Sequence, residues 1–156
     1  MRPFLALDFL TRTDGSPVAY ALRAAAVAMI GTIVIILVIA QFLAAPESSE
    51  PNSSTAAAAI TLLIIWPLIA TAVIALLSRS LKQHLPTYWH AAAATAIGFA
   101  LVLGLLLGLE VGLVYAWPFF IYSVTFLAWQ LRSEWQAWLM TALVHSLVNV
   151  IPVVLL

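Results

Sequence analysis

Between Ala91 and Trp129 the only side chain charged at neutral pH is Glu110, and with Trp89 and His90 the apolar stretch covers residues 89–129. A helix rises roughly 1.5 Å per residue and a hydrocarbon core is about 30 Å thick, so about twenty residues make one crossing. The stretch is about twice that length and must turn on itself. Polar and helix-disturbing residues collect over 110–118, where Glu110, Gly112, Tyr115, Trp117 and Pro118 stand. The sequence therefore predicts helices over 89–113 and 117–129 with a turn between them.

The first of these helices carries a second signal. Small residues recur every four positions at Ala92, Ala96, Ala100, Gly104, Gly108 and Gly112. Residues four apart lie nearly over one another on a helix, so the row is a ridge of missing side chains. Lipid gives apolar helices no drive to associate, and they gain instead by letting backbones approach and make dispersion contacts. Glycine costs roughly 1 kcal/mol in a helix interior unless something compensates, which argues for a packing ridge over Ala/Gly filler. Ala96, Ala100, Gly104, Gly108 and Gly112 are expected to be helix-packing positions, with 89–113 the central helix of a bundle.

Three more apolar runs, 18–44, 56–77 and 135–156, bring the expected number of helices to five. Residues 1–17 form a lead outside the membrane domain 18–156. Phe4, Leu5, Phe9 and Leu10 against Arg2, Asp8 and Arg12 suit a short interfacial helix, and disorder is the alternative. The first run is too long for a signal-peptide core, and Leu43 stands where a cleavage site needs a small residue, so it reads as an uncleaved anchor. Residues 46–55 make a polar loop with Glu47 and Glu50. Its Asn52-Ser53-Ser54 fits a glycosylation sequon, a short pattern common in bacterial chains too. Pro67, inside the second run, frees a carbonyl and should kink the helix.

Five crossings place the N-terminus and loops 78–88 and 130–134 on one side. Arg2, Arg12, Arg23, Arg79, Lys82 and Arg132, the complete set of lysines and arginines, fall there. By the positive-inside rule that side is cytoplasmic. The expected fold is an all-α integral membrane protein, a bundle of five transmembrane helices with a cytoplasmic N-terminus, in a membrane of the bacterial inner type. Composition agrees: 65% of residues are hydrophobic and 8% charged, against roughly 25% charged in soluble domains. Six basic residues balance six acidic ones, so nothing points to nucleic acid. Cysteine is absent, which excludes disulfides, thiolate metal sites and a cysteine nucleophile. The lipid bilayer and other membrane proteins are the expected partners.

Ionisable groups within a bilayer cost on the order of 3 kcal/mol on insertion scales, so each needs a reason. His145 stands mid-way along the last helix, with Asn149 one turn on and the same face. Two readings follow: a metal-binding or proton-handling histidine with an amide neighbour, or a neutral histidine hydrogen-bonded to Asn149 or to another helix as packing glue. His84, His90 and His145 also raise a b-type haem, which needs axial ligands at matched depth; topology puts the first two at the cytoplasmic edge and the third deeper.

Residues 119–153, with Arg132-Ser133 at a short basic turn, Trp135 or Trp138 at the helix start and His145-Ser146-Leu147-Val148-Asn149 within it, resemble the C-terminal two helices of the CPBP family of CAAX-processing and bacteriocin-processing intramembrane proteases. That family's Phe-x-x-x-His motif maps onto Leu106-Leu107-Gly108-Leu109-Glu110, with Glu110 in place of the histidine. Its Glu-Glu-x-x-x-Arg motif maps onto 70–75 after Pro67, where neither glutamate nor arginine is present. The resemblance implies the family's helical scaffold with the hydrolytic centre lost: a non-catalytic accessory subunit or partner-binding module without a cofactor. The alternative it implies is an active protease using His145, Asn149 and Glu110, with zinc held by His145 and Glu110.

Overall fold

The computed structural model describes residues 5–42 and 56–155. The polar loop with Glu47, Glu50 and the Asn52 sequon, the end of the first predicted run and Leu156 lie outside the described residues. Within them, five helices are long and apolar enough to cross a membrane: Pro17–Ile39 (α1), Ala57–Lys82 (α2), Tyr88–Leu107 (α3), Leu109–Gln130 (α4) and Glu134–Val154 (α5). No strand occurs among the described residues.

Local chemistry sets the helix starts. Ser16 caps α1 by accepting the Ala19 N–H, with Pro17 at the first helical position, where its missing N–H costs nothing. Thr87 caps α3 in the same way through His90 N, and Ser133 caps α5 through Gln136 N at 3.1 Å. The lead is ordered from Leu5 to Thr11 as a 3₁₀ helix. Leu10 is fully buried, and its carbonyl accepts the Tyr20 hydroxyl at 2.7 Å.

The turn between α3 and α4 is one residue, Gly108, at φ 116° and ψ 148°. The sequence reading placed it later, over 110–118. Glu110, Gly112 and Tyr115 instead lie within α4, and Pro118 is accommodated inside that helix. A side chain at φ 116° is strained, so glycine is what permits so tight a reversal. The hairpin then brings the small residues of the two helices together. A Cβ on Gly112 would overlap the Ala100 carbonyl oxygen and come within 2.8 Å of Gly104 Cα. The ridge is thus met at Ala100 and Gly104 by the following helix of the same chain.

The central helix is α4, not the α3 segment that the ridge suggested. Every residue from Pro118 to Trp129 is buried, and α4 packs against α1, α2, α3 and α5. The reason is side-chain size. A row of small residues marks a helix approached closely by one neighbour, whereas Phe119, Phe120, Tyr122, Phe126 and Trp129 give α4 bulk on all sides. Phe99 of α3 stacks on Phe119 at 4.0 Å between centroids. Trp117 donates from Nε1 to the Val27 carbonyl of α1 at 3.0 Å, over the notch left by Gly31.

One end of the bundle gathers the cations. There the ring of Tyr20, near the start of α1, meets that of Trp129, near the end of α4, edge to face at 5.3 Å. Arg79, near the end of α2, pairs with Glu134 at the start of α5 and lies 6.0 Å from the Phe126 ring centroid. Arg132 lies over Trp129 at 5.5 Å.

Candidate functional site

The second helix is irregular where it passes α5. Residues Thr61–Ile65 form a π-helical turn, closed by the Trp66 N–H bonding to the Thr61 carbonyl, and Pro67 follows at once. Proline has no N–H, so in a regular helix the Leu63 carbonyl would lose its donor; in π register the Leu62 carbonyl loses it. Both carbonyls are met from α5. Asn149 donates from Nδ2 to Leu62 O at 2.8 Å, and Ser146 donates from Oγ to Leu63 O at 2.7 Å. The irregular backbone and the polar pair are therefore two halves of one joint. In an apolar medium an unmet carbonyl is costly, which explains why polar residues stand on α5 at this level.

His145 takes no part in that joint. Its ring stacks on Tyr122 at 4.4 Å and 21°, meets Phe119 edge-on at 6.0 Å, and is 1% exposed. Its Nδ1 has no hydrogen-bond partner among the described residues. The histidine lies against rings of α4, and Asn149, which the packing reading offered as a hydrogen-bond partner, bonds to α2 instead. Tyr122 and Phe119 are the partners that sequence reasoning missed; an aromatic pair three residues apart on a neighbouring helix was the available signal.

The zinc set implied by the resemblance does not assemble. An unpartnered buried imidazole nitrogen suits a ligand, but Glu110 is exposed beside the hairpin turn, and about 18 Å of helical rise separates it from Tyr122, where His145 sits. The amide of Asn149 is committed to Leu62 O. No group of three or more histidine and carboxylate side chains is placed to hold a metal among the described residues. The haem geometry does not assemble either. His84 and His90 are exposed at the basic end, with His90 Nδ1 at 2.5 Å from Thr87 Oγ1, while His145 lies within the bundle.

Beside Tyr122 and Asn149 a cleft of about 300 Å³ opens between α1, α4 and α5. Met29 and Ile33 form one wall, Tyr115 and Pro118 another, and Asn149 and Pro152 the third. Its surface is almost wholly apolar, and Ile33 and Ile151 at its rim are 51% and 45% exposed. Pro118 and Pro152 each withhold the N–H that would serve the carbonyl four residues back. Those residues, Val114 and Val148, also line the cleft. The cleft is thus bounded by two helices in each of which a proline leaves one carbonyl without its usual N–H partner.

No family model, curated protein or solved structure matches the chain.

What the site can do follows from these groups. Among the described residues they form a shaped, almost wholly apolar recess beside an internally engaged polar pair.

Proposed function

We propose that the chain is a non-catalytic polytopic membrane protein of the bacterial inner membrane, a degenerate CPBP-like scaffold that acts as an accessory subunit by holding a transmembrane segment of another protein. One observation carries the reading. The polar side chains of α5 that resemble catalytic residues are engaged within the fold, Ser146 and Asn149 on α2 carbonyls and His145 between aromatic rings. The cleft beside them, between α1, α4 and α5, is apolar and faces outward. A partner helix fits it through small apolar knobs, and a hydroxyl or amide on that helix finds acceptors in the wall.

The basic end, with Arg12, Arg23, Arg79, Lys82 and Arg132, is the cytoplasmic end in this reading. Single cysteines replacing Glu50 and Lys82 are expected to label from opposite sides of sealed vesicles; labelling from the same side overturns the topology.

A photo-crosslinking residue at Ile33, at the mouth of the cleft, is expected to give one defined adduct in native membranes, abolished by Met29→Trp. The same probe at Leu105, 86% exposed on α3, should give none. Equal adducts from both positions, or none from Ile33, overturn the reading. Stoichiometric zinc in the purified protein that is lost in His145→Ala, together with cleavage of a membrane peptide, would replace it with the metalloprotease.

A further inference from the structure

A second cavity, of about 470 Å³, lies at the basic end between the 3₁₀ lead and the first turns of α1. Arg12, Thr13, Asp14, Ser16 and Arg23 line it, with Tyr20 at its side. Its volume lies within the usual range of small-molecule sites. It differs from the apolar cleft in being predominantly polar.

Two cations and one carboxylate leave an excess of one positive charge. Neither arginine makes an ion pair among the described residues. The position of Arg23 is the more telling. It stands well inside an apolar helix, on an exposed face next to Leu22, which is 56% exposed. A guanidinium there is favoured only where it reaches back to the polar boundary, and the tilt of helical side chains toward the N-terminus carries it that way. Arg12 comes to the same cavity from the lead. Two arginines that line one cavity from separate segments, together with a threonine and a serine, supply the kinds of donor that a phosphate takes. Tyr20 fixes the geometry, since its hydroxyl ties α1 to the lead through Leu10 O.

We propose that this cavity binds a phosphate group, carried by an anionic phospholipid headgroup or by a soluble phosphate. The lipid form rests on the bilayer reading above. The vesicle-labelling experiment tests that reading separately, so the two can fail independently.

The test compares the wild type with Arg12→Gln/Arg23→Gln and with Arg132→Gln, which removes a cation of the same end that does not line the cavity. Native mass spectrometry in neutral detergent is expected to show phosphatidylglycerol retained by the wild type and by Arg132→Gln. The double variant should bind it about thirtyfold more weakly, the sum of what two arginines contribute beside an anionic surface. Phosphatidylcholine should bind all three alike. Asp14→Asn should tighten phosphatidylglycerol, because it removes the one carboxylate facing the anion, and this gain does not depend on a disruptive change. Should phosphatidylglycerol not be retained while inorganic phosphate raises the thermal midpoint of the wild type and not of the double variant, the ligand is a soluble phosphate and the site stands. The proposal falls if neither probe distinguishes the double variant from the wild type, or if Arg132→Gln weakens binding as much.

Discussion

Gly112→Ala is expected to destabilise the protein by about 3 kcal/mol. The new Cβ would overlap the Ala100 carbonyl oxygen and stand 2.8 Å from Gly104 Cα and 2.9 Å from Gly104 N. All three are backbone atoms of the facing helix, so no side chain can rotate away. The helices must separate, and the dispersion contacts along the hairpin weaken together. Two other glycines give the contrast. A Cβ on Gly104 meets nothing nearer than Gly112 Cα at 3.8 Å, and one on Gly98 meets nothing within 4 Å. Alanine at either position should be neutral or stabilising by up to about 1 kcal/mol through helix propensity. Unfolding midpoints of the three variants in mixed detergent check this. Equal losses at 98, 104 and 112 would show that the ridge is not a close contact. Gly108 separates again: alanine there should lose about 1–3 kcal/mol from the positive φ rather than from packing.

These glycines show what the sequence makes legible and what it leaves hidden. The ridge was readable because close helix approach in an apolar medium selects small residues at a period of four. The hairpin turn was not, because a glycine needed for its backbone angle and one needed for its missing Cβ look the same. Gly108 sits in register with the ridge, so its turn was read into the packing row and the break was sought later, among Glu110, Tyr115 and Pro118. The five apolar helices were legible from length and charge. The identity of the central helix was not, since an apolar helix in this chain shows no amphipathic contrast between a buried face and one turned outward. The same limit applies at His145. Spacing put Asn149 on its face, but the backbone defect in α2 that draws Asn149 away required knowing which helix lies opposite. Pro67 was the clue, because a freed carbonyl must find a donor.

That dependence can be measured. Ser146→Ala/Asn149→Ala in the native background leaves the Leu62 and Leu63 carbonyls without donors and should lower stability by about 2–4 kcal/mol, each bond being worth the penalty of an unmet polar group. With Pro67→Ala the chain regains an N–H at position 67, which serves one of those carbonyls from within α2. The same pair of substitutions should then cost about 1 kcal/mol less. The sign is the informative part: a joint made because proline removed a donor loses value when the donor returns. A distance measurement adds a structural readout. With no native cysteine to interfere, spin labels at Ile60 and Val150 report on how α2 lies along α5 on the side away from the basic end. The wild type should give one narrow distribution. Ser146→Ala/Asn149→Ala should broaden it, because Ala57–Ile60 lies at the far end of α2 and its hold on α5 comes through the π-helical turn. Adding Pro67→Ala should narrow it again. If the loss of stability is equal in the two backgrounds and the distributions superimpose, Ser146 and Asn149 are bystanders to the irregularity of α2, and their place on α5 would again be open to a catalytic reading.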